Sequence, residues 1–344
     1  MSDQKQGLTV FVTGGAGFIG SHVVVSLIEA GHTPVVFDDF TNSNPAVFDK
    51  IAELTGTTVE WIEGDITNAE QLTKALSTHE FDAVMHFAGR KAVGESCDEP
   101  ELYMDVNIGG TATLLAAMRD TNVKKIIFSS SCSVYGIAES EPLTEKSATA
   151  PTNPYSWSKL TCEGMLENVA NFRDGFAAVS LRYFNPIGAH PSGLIGEDGR
   201  ADSPNIMPRL LEVATGERDK ITVFGKDYDT RDGSCIRDYL HVVDIADAHV
   251  QALALLDEPG HDIINLGTGV GTTVFELINE LSAASGNDVT YEVGDRRPGD
   301  VPALVADARY AEEVLGWVPK YDVSEMCRDA WRFYTEGRTA PTNG

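Results

Sequence analysis

The sequence predicts an α/β fold, in which a doubly wound parallel sheet precedes a smaller C-terminal α/β lobe. Three observations lead to this class. In the first half of the chain, short β-branched runs alternate with helical patterns of apolar residues. A glycine-rich turn joins the first such strand to the first such helix. After Pro186, a stretch rich in glycine and proline ends this rhythm and marks the start of the second lobe.

Each element follows from its local pattern. The predicted strands of the first half are residues 8–13, 34–38, 59–64, 83–88, 125–131 and 177–183. Between them, residues 19–30, 69–78 and 103–120 show apolar positions every three or four residues and are predicted to be helices that cover the sheet. The later run 262–266 also reads as a strand and could return to the main sheet. From Arg338 onward we expect a frayed tail.

Composition excludes several classes of protein. The 344 residues leave room for about two packed units, and 42% hydrophobic content is enough for a core. The 26 Lys and Arg against 52 Asp and Glu give a net charge of -26, which repels nucleic acids and anionic membranes. We therefore expect no nucleic acid and no membrane as partners. Because no run of about 18 apolar residues occurs and the first residues are polar, we also expect neither a membrane span nor a signal peptide.

The five cysteines are odd in number and widely spaced, without a Cys-x-x-Cys motif. This spacing argues against a disulfide framework and against a zinc site. We therefore predict a cytoplasmic protein with no bound metal.

The turn after the first strand has the spacing of a dinucleotide site. Gly14, Gly17 and Gly20 lie three residues apart, and Gly15-x-Gly17-x-x-Gly20 matches the dinucleotide fingerprint. Without Cβ atoms, backbone N–H groups and the positive end of the helix can approach a pyrophosphate. The pattern predicts a Rossmann-type sheet.

The second strand ends in Asp38, about 20 residues after the glycines, where a carboxylate can accept a hydrogen bond from the adenosine ribose. The next residue is Asp39 rather than an arginine, so the site favours NAD over NADP. An ordinary turn residue at the end of a strand is the alternative for Asp38.

A phenol and an ammonium lie four residues apart in the second candidate site. Tyr155 and Lys159 fall on one face of the helix that should begin just after Pro154. A phenol with a pKa near 10 is a poor base at neutral pH, but the charges of Lys159 and a nicotinamide ring favour the phenolate. The hydroxyl of Ser131 can share the substrate oxygen. We predict these three as catalytic residues for hydride transfer at an alcohol, and a half-buried packing role is the alternative for Tyr155.

Three long runs then carry a family resemblance. Residues 86–96, 182–193 and 237–242 resemble the extended short-chain dehydrogenase/reductases and, among them, the UDP-glucose 4-epimerases. The resemblance spans about residues 8–331. It implies that UDP-glucose and UDP-galactose are interconverted by transient oxidation at C4 with tightly bound NAD, as in galactose metabolism.

The break in rhythm after Pro186 also predicts a division into two domains. Residues 1–185 would form the NAD-binding domain, with later segments near 237–266 able to return to it, and residues 186–344 would mainly bind the nucleotide sugar.

Site residues are carried over by motif position. For NAD, the resemblance implies Gly14, Gly17, Phe18, Ile19, Gly20, Asp38, Asp39, Phe40, Asn42, Ser43, Asp65, Ile66, Phe87, Ala88, Gly89, Lys91, Tyr155, Lys159 and Phe184. For the UDP-hexose it implies Ser131, Ser133, Tyr155, Tyr183, Phe184, Asn185, Asn205, Phe224, Arg237, Tyr239, Arg297, Asp300 and Leu304.

Some of these assignments have a structural alternative. Guanidinium groups such as those of Arg237 and Arg297 can bind a diphosphate in pairs of hydrogen bonds, but they could equally form surface ion pairs. Tyr183 and Phe184 could be core residues.

Two positions bear on specificity. Leu304 falls where relatives control substrate size: tyrosine there restricts the pocket to plain hexoses, and small residues admit a 2-acetamido group. Leucine is intermediate, so activity on UDP-GlcNAc and UDP-GalNAc stays open. Val106 stands where the family commonly has asparagine, so the resemblance implies that a hydrogen bond near the nicotinamide is lost or is supplied by water.

The sequence also bears on three alternative functions. A nucleotide-sugar 4,6-dehydratase needs Asp and Glu where this chain has Cys132 and Ser133. A UDP-glucuronate or UDP-pentose 4-epimerase differs only in how the pocket treats C6. A non-catalytic NAD-binding sensor typically lacks the Tyr/Lys pair that this chain keeps.

The resemblance also implies a homodimer, formed by the helices that begin near Tyr103 and Tyr155. The apolar stripes of these helices fit equally well with burial against their own sheet.

Overall fold

The computed structural model describes residues 7–137, 141–197, 205–297 and 300–338. Most of the predicted C-terminal tail, residues 339–344, lies outside this range. The elements of the first half are β1 (Thr9–Thr13), α1 (Phe18–Glu29), β2 (Thr33–Asp38), α2 (Val47–Thr55), β3 (Glu60–Glu63), α3 (Ala69–Leu76), β4 (Ala83–His86), α4 (Val93–Asp98), α5 (Pro100–Tyr103), α6 (Gly110–Asp120), β5 (Lys125–Ser131), α7 (Pro154–Phe172) and β6 (Ala177–Tyr183).

The second half continues with shorter strands. They and their helices are β7 (Asn185–Ile187), α8 (Ile206–Ala214), β8 (Ile221–Phe224), β9 (Ile236–His241), α9 (Val242–Ala252), β10 (Gly260–Leu266), β11 (Gly271–Thr273), α10 (Val274–Ser285), β12 (Tyr291–Gly294), β13 (Ala303–Leu304), α11 (Arg309–Leu315) and α12 (Val323–Arg332). Short 3₁₀ segments follow β5 and α9, and a π-helical turn ends the described chain.

The main sheet has seven parallel strands in the order β10-β6-β5-β4-β1-β2-β3. Its strands are apolar on both faces, as in β1, where Val10, Phe11 and Val12 are fully buried. One face packs against α1 and α9, and the other packs against α3, α6 and α7. The predicted doubly wound, Rossmann-type sheet is confirmed. Because the strand order reverses at β1, a crevice opens at the carboxyl ends of β1 and β4, where such sheets bind ligands.

The later strand predicted at 262–266 lies in this sheet. β10 pairs in parallel with β6, and α9 packs against α1. The segment Ile236–His241 instead forms β9 of a second sheet, so only the last part of the region near 237–266 contributes a strand to the main sheet.

The second sheet is centred on β9. β11 pairs with it on one side in antiparallel orientation, and β13 and β7 pair with it in parallel. A separate pair, β8 and β12, packs with α8, α10 and α12 around a second core that includes Leu210, Leu277 and Met326.

The helix predicted over residues 103–120 is interrupted, which corrects the prediction. α5 ends at Tyr103, a π-helical turn spans Met104–Gly109, and α6 begins at Gly110. At the end of this turn the Asn107 carbonyl accepts hydrogen bonds from two side chains, the Thr111 hydroxyl at 2.6 Å and the Cys162 thiol at 3.4 Å. Such side-chain bonds compete with regular helix bonds, and the apolar spacing does not reveal them.

No helix of the described ranges is long and apolar enough to span a bilayer.

Candidate active site

The turn between β1 and α1 packs backbone against backbone. Gly14 has a φ of +71°, and a Cβ there would lie 2.6 Å from the Ala88 nitrogen. A Cβ on Gly20 would collide with the Gly14 carbonyl oxygen. Gly17 caps α1 without a side-chain hydrogen bond, and the first turn contains no acidic residue. The helix start therefore suits an anion such as a pyrophosphate.

Asp38 ties this turn to the end of β2. Its carboxylate accepts hydrogen bonds from the Ala16 amide at 3.0 Å, the Phe40 amide at 2.9 Å and the Ser43 hydroxyl at 2.9 Å. Burial raises the pKa of Asp38 above its ordinary value, and these three hydrogen bonds oppose the rise. The predicted ribose acceptor thus lies beside the glycine turn and helps to hold its shape.

The loop after β4 closes the other side of the crevice. The amides of Phe87 and Ala88 both donate to the Thr13 carbonyl, at 2.9 and 3.1 Å. Gly89 has a φ of +155°, and a Cβ there would lie 2.9 Å from the side-chain oxygen of Asn107. This loop is consequently held against both β1 and the π-helical turn.

The remaining predicted cofactor positions lie along the same edge of the sheet. They are Phe18 and Ile19 at the start of α1, Asp39, Phe40, Asn42 and Ser43 after β2, Asp65 and Ile66 after β3, Lys91 after β4, and Phe184 after β6. The structure thus brings the predicted NAD positions to the carboxyl ends of β1, β2, β3, β4 and β6.

The predicted catalytic residues come from β5 and α7. Ser131 ends β5. The side chain of Asn153 accepts a hydrogen bond from the Ser156 amide at 2.9 Å, so α7 begins at Pro154 and Tyr155 lies in its first turn. The two elements bring the Ser131 side chain close enough to the Tyr155 phenol to lower its pKa, against the larger effect of burial.

Lys159 lies one turn further along α7. Its Nζ donates to the Ser129 carbonyl at 2.7 Å and lies 5.9 Å from the centroid of the Tyr155 ring. Burial lowers the pKa of Lys159 to about 8, opposed by Cys162 and Glu163. The lysine is therefore largely charged at neutral pH and close enough to influence the phenol.

The protein alone does not lower the pKa of the phenol. Burial raises the pKa of Tyr155 to about 12, and the nearby Ser131 side chain only partly opposes this. Lys159 alone therefore does not offset the effect of burial on the pKa of Tyr155. A second positive charge, which a nicotinamide ring would supply, is needed to favour the phenolate.

Asn107, which the sequence analysis did not identify as a site residue, connects the loop after β4 to α7. It is 4% exposed. Its side-chain oxygen accepts from the Arg90 amide at 2.8 Å, and its side-chain nitrogen donates to the Arg90 carbonyl at 3.1 Å and to the Ser158 hydroxyl at 2.9 Å. Ser158 in turn donates to the Tyr155 carbonyl at 2.7 Å. The sequence signal for this role is that Asn107 is a polar residue within the otherwise apolar stripe of the helix predicted over residues 103–120.

Three buried polar atoms lie on the sugar side of the site. The Ser133 hydroxyl, the Tyr183 hydroxyl and the Asn185 side-chain oxygen have no hydrogen-bond partner among the described residues. Leaving such atoms unpaired costs about 1–3 kcal/mol each, so they indicate a place for a polar ligand. Tyr183 and Phe184 are 5% and 3% exposed, as either of their two interpretations requires.

Two arginines share one carboxylate at the far end of the site. Arg237 lies 3.6 Å and Arg297 lies 3.0 Å from the Asp300 carboxylate. The Arg297 guanidinium also lies 5.7 Å from the centroid of the Phe224 ring, which is 44% exposed. Four predicted substrate residues therefore form one group. The ion pairs are compatible with both interpretations of the arginines, as diphosphate ligands and as members of surface ion pairs.

β9 aligns the other substrate positions. Asn185 of β7 pairs with Tyr239, and Leu304 of β13 pairs with Arg237. Leu304 also packs against an apolar cluster that contains Cys132 and Phe184. The remaining position, Asn205, precedes α8 and donates to Glu197 at 2.6 Å.

The two positions at which a dehydratase needs an acid and a base cannot supply them. Burial raises the pKa of Cys132 to about 12, and Ser133 has only a hydroxyl. Neither group exchanges protons readily near neutral pH.

The chain is similar to known enzymes that act on nucleotide sugars. A family model described as GDP-mannose 4,6 dehydratase matches residues 11–330. The chain is 44% identical to the UDP-glucose 4-epimerase of Bacillus subtilis over 327 residues, which cover 95% of this chain and 96% of the relative. It is 47% identical to the mouse UDP-glucose 4-epimerase over 94% of this chain and 96% of that protein.

A solved UDP-glucose 4-epimerase of Bifidobacterium longum, in complex with NAD⁺ and UDP, superposes with a TM-score of 0.92 at 42% identity, covering 95% of this chain and 98% of that one.

Proposed function

The chain belongs to the UDP-glucose 4-epimerase family, and we propose that it interconverts UDP-glucose and UDP-galactose with a tightly bound NAD. The observation that carries this proposal is the position of Tyr155 and Lys159 on one helix, beside Ser131 and across the crevice from the glycine turn.

The residues of the crevice fit NAD. The uncapped start of α1 and the close-packed glycines suit its pyrophosphate, and Asp38 suits a ribose hydroxyl. When bound, NAD accepts a hydride from C4 of the sugar and returns it to the opposite face, so that the reaction has no net redox change.

Tyr155 is proposed to exchange the proton of the sugar 4-hydroxyl. Lys159 holds a positive charge 5.9 Å from the Tyr155 ring and, together with the charge of a nicotinamide ring, would favour the phenolate. Ser131 can bind the 4-oxygen through its hydroxyl and keep it near the phenol.

The sugar nucleotide is proposed to lie along β9. Arg237 and Arg297 can bind the diphosphate, whose charge a protein of net charge -26 must neutralise locally. Ser133 and Asn185 offer the sugar buried polar atoms that lack a partner among the described residues.

We further propose a second activity on UDP-GlcNAc and UDP-GalNAc. Leu304, which is partly buried beside Phe184 and Cys132, is smaller than the tyrosine that restricts relatives to plain hexoses. Comparing kcat/KM for both sugar pairs tests this, and no turnover of the acetamido pair would contradict it.

We also propose a homodimer formed through α6 and α7. These helices form an open, largely apolar groove lined by Ala112, Leu115, Thr161, Gly164, Met165, Asn168 and Val169. Nearby, Trp157 is 45% exposed at the start of α7, as expected for a surface that a partner covers.

The proposed compartment is the cytoplasm. All five cysteines are unpaired, and four of them are buried. Free thiols in these positions fit a reducing environment.

The first experiment is proton NMR of UDP-galactose with purified protein and no added nucleotide. Conversion of the anomeric signals to those of UDP-glucose would support both the epimerase reaction and a retained NAD. No conversion, even with NAD supplied, would instead favour UDP-glucuronate, UDP-pentoses or a sensor role.

A further inference from the structure

One carboxylate connects the cofactor side of the site to the sugar side. The Glu197 Oε1 atom accepts a hydrogen bond from Lys91 Nζ at 2.8 Å and another from Asn205 Nδ2 at 2.6 Å. Lys91 belongs to the loop after β4, which the sequence assigns to the cofactor. Asn205 precedes α8 and is assigned to the substrate. Glu197 thus contacts one residue of each group through a single oxygen.

Glu197 is held firmly in its own segment. Ala189 and Gly196 form an antiparallel bridge, and the His190 amide donates to the Ile195 carbonyl at 3.0 Å. Gly196 is packed so tightly that a Cβ there would collide with the Phe333 ring. The Glu197 side chain is only 12% exposed. The hairpin therefore presents the carboxylate from the second lobe in a defined position.

A negative charge at this place needs a reason. Glu197 adds a partly buried negative charge to a protein of net charge -26, and the ligands proposed for both sites are themselves anionic. Lys91 offsets this charge through an ion pair, while its own side chain is 53% exposed. Because two donors share one oxygen, a change in either hydrogen bond alters the strength of the other.

We propose that Glu197 is a positioning residue that couples the sugar site to the cofactor site. A substrate that engages the Asn205 amide leaves Oε1 to Lys91 alone. The stronger Lys91–Glu197 pair then draws the loop after β4 against the second lobe and slows the release of NAD. This inference rests on the proposed function, since it requires both ligands. By linkage, if the sugar nucleotide raises the equilibrium affinity for NAD, bound NAD raises the affinity for the sugar nucleotide by the same factor.

The test measures exchange of bound NAD for isotope-labelled NAD in the purified holoprotein, with and without saturating UDP-galactose, by mass spectrometry after ultrafiltration. In the unmodified protein, we expect the sugar nucleotide to slow exchange by about fivefold or more. In Glu197→Gln the slowing should fall below about twofold, because the neutral amide no longer forms an ion pair with Lys91. Lys91→Met removes the lysine of the same ion pair, so the slowing of NAD exchange should fall below about twofold in this variant as well.

Glu292→Gln is the matched control. Glu292 also accepts from a lysine and a hydroxyl, those of Lys220 and Thr222, but it lies on an exposed strand pair outside the site. This variant should keep the full effect of the sugar nucleotide.

If UDP-galactose slowed NAD exchange as much in Glu197→Gln as in the unmodified protein, the coupling would be overturned. Steric cover of NAD by the substrate would then be enough to explain the slower exchange. No slowing in the unmodified protein would overturn it as well. Epimerisation measured on the same samples separates these outcomes from a failure of the proposed function.

Discussion

At the scale of single residues, the central question is how a buried phenol can act as a base. Burial raises the pKa of Tyr155 to about 12, while the neighbouring ammonium lies 5.9 Å from the ring centroid. Lys159 itself loses proton affinity through burial, to a pKa of about 8. The phenol is thus neutral in the protein alone. A bound oxidised nicotinamide would add a positive charge near Tyr155 and so favour its phenolate form.

Tyr155→Phe separates catalysis from cofactor binding. Removing the hydroxyl should lower kcat for UDP-galactose by about 10²–10⁴-fold, the usual contribution of a general acid or base. NAD content of the purified variant, measured by absorbance after acid release, should stay close to that of the unmodified protein. A variant with unchanged turnover would exclude Tyr155 as the base, and absence of turnover in both proteins would favour the sensor alternative.

Leu304→Tyr tests the size of the sugar pocket. The larger ring should lower kcat/KM for UDP-GalNAc by about 10-fold or more, the scale on which apolar pockets discriminate. Turnover of UDP-galactose should change far less, because a plain hexose lacks the acetamido group. Equal losses on both substrates would indicate a general disturbance of the cluster with Phe184 and Cys132 rather than a size filter.

At the scale of elements, Asn107 joins three segments around the catalytic helix. Asn107→Ala leaves the Arg90 amide and carbonyl without their buried partners, so unfolding free energy should fall by about 2–4 kcal/mol. We also expect kcat to fall more than KM rises, because Ser158 and the start of α7 lose a support. Urea unfolding and steady-state kinetics measure the two effects. Asn279→Ala on the exposed face of α10 is the control, and equal effects in both variants would contradict the assignment.

The sequence predicts the main sheet well because its signals are local. β-branched runs bounded by turns identify strands of the sheet, and the glycine spacing identifies the start of α1. The predicted strands at 59–64 and 83–88 extend beyond the observed β3 and β4. After β4, the amides of Phe87 and Ala88 both turn to one carbonyl of β1, a contact that no local pattern encodes.

Non-local contacts account for what the sequence does not reveal. β9 pairs with three short strands from distant parts of the chain, so its role in aligning Asn185, Leu304 and Arg237 could not be read from spacing. The π-helical turn before α6 and the bridge through Glu197 likewise depend on contacts between residues far apart in the chain. The predicted cofactor residues lie at the carboxyl ends of the main sheet, whereas most of the predicted substrate residues lie in the second lobe, and the individual roles of both groups stay predictions.

At the scale of the whole molecule, Gly164 offers a direct test of the proposed dimer. A Cβ at this helical position would meet no atom within 4 Å in the monomer, although Gly164 lines the groove between α6 and α7. Gly164→Arg should therefore stabilise the isolated helix by up to about 1 kcal/mol while blocking a close helix pairing. Sedimentation should then show a folded monomer, whereas Asn279→Arg on α10 should leave the dimer intact. A dimer that survives Gly164→Arg would place the interface elsewhere.

Buried histidines should set the acid limit of the whole fold. Burial lowers the pKa of His22 and His86 to about 3 and that of His249 to about 4. In the unfolded chain each has a pKa near 6.5, so below that pH the unfolded state binds protons that the native state does not. Stability is therefore full above about pH 6.5 and is lost as the pH falls toward 4. Buried carboxyls with raised pKa, such as those of Asp38 and Asp238, bind protons in the native state and reduce this loss.

Urea unfolding at pH 7.5, 6.5 and 5.5 measures this dependence. Each histidine contributes up to about 1.4 kcal/mol per pH unit, so the three together would lower the unfolding free energy by up to about 4 kcal/mol per unit before the carboxyls offset part of it. His86→Gln should make the slope shallower by about one histidine's share, because its hydrogen bonds to Thr13 and Thr111 then involve no titrating group. If the unfolding free energy of the unmodified protein did not change between pH 7.5 and 5.5, these histidines would gain protons in the folded state. The helices that cover them would then open to water before the protein unfolds.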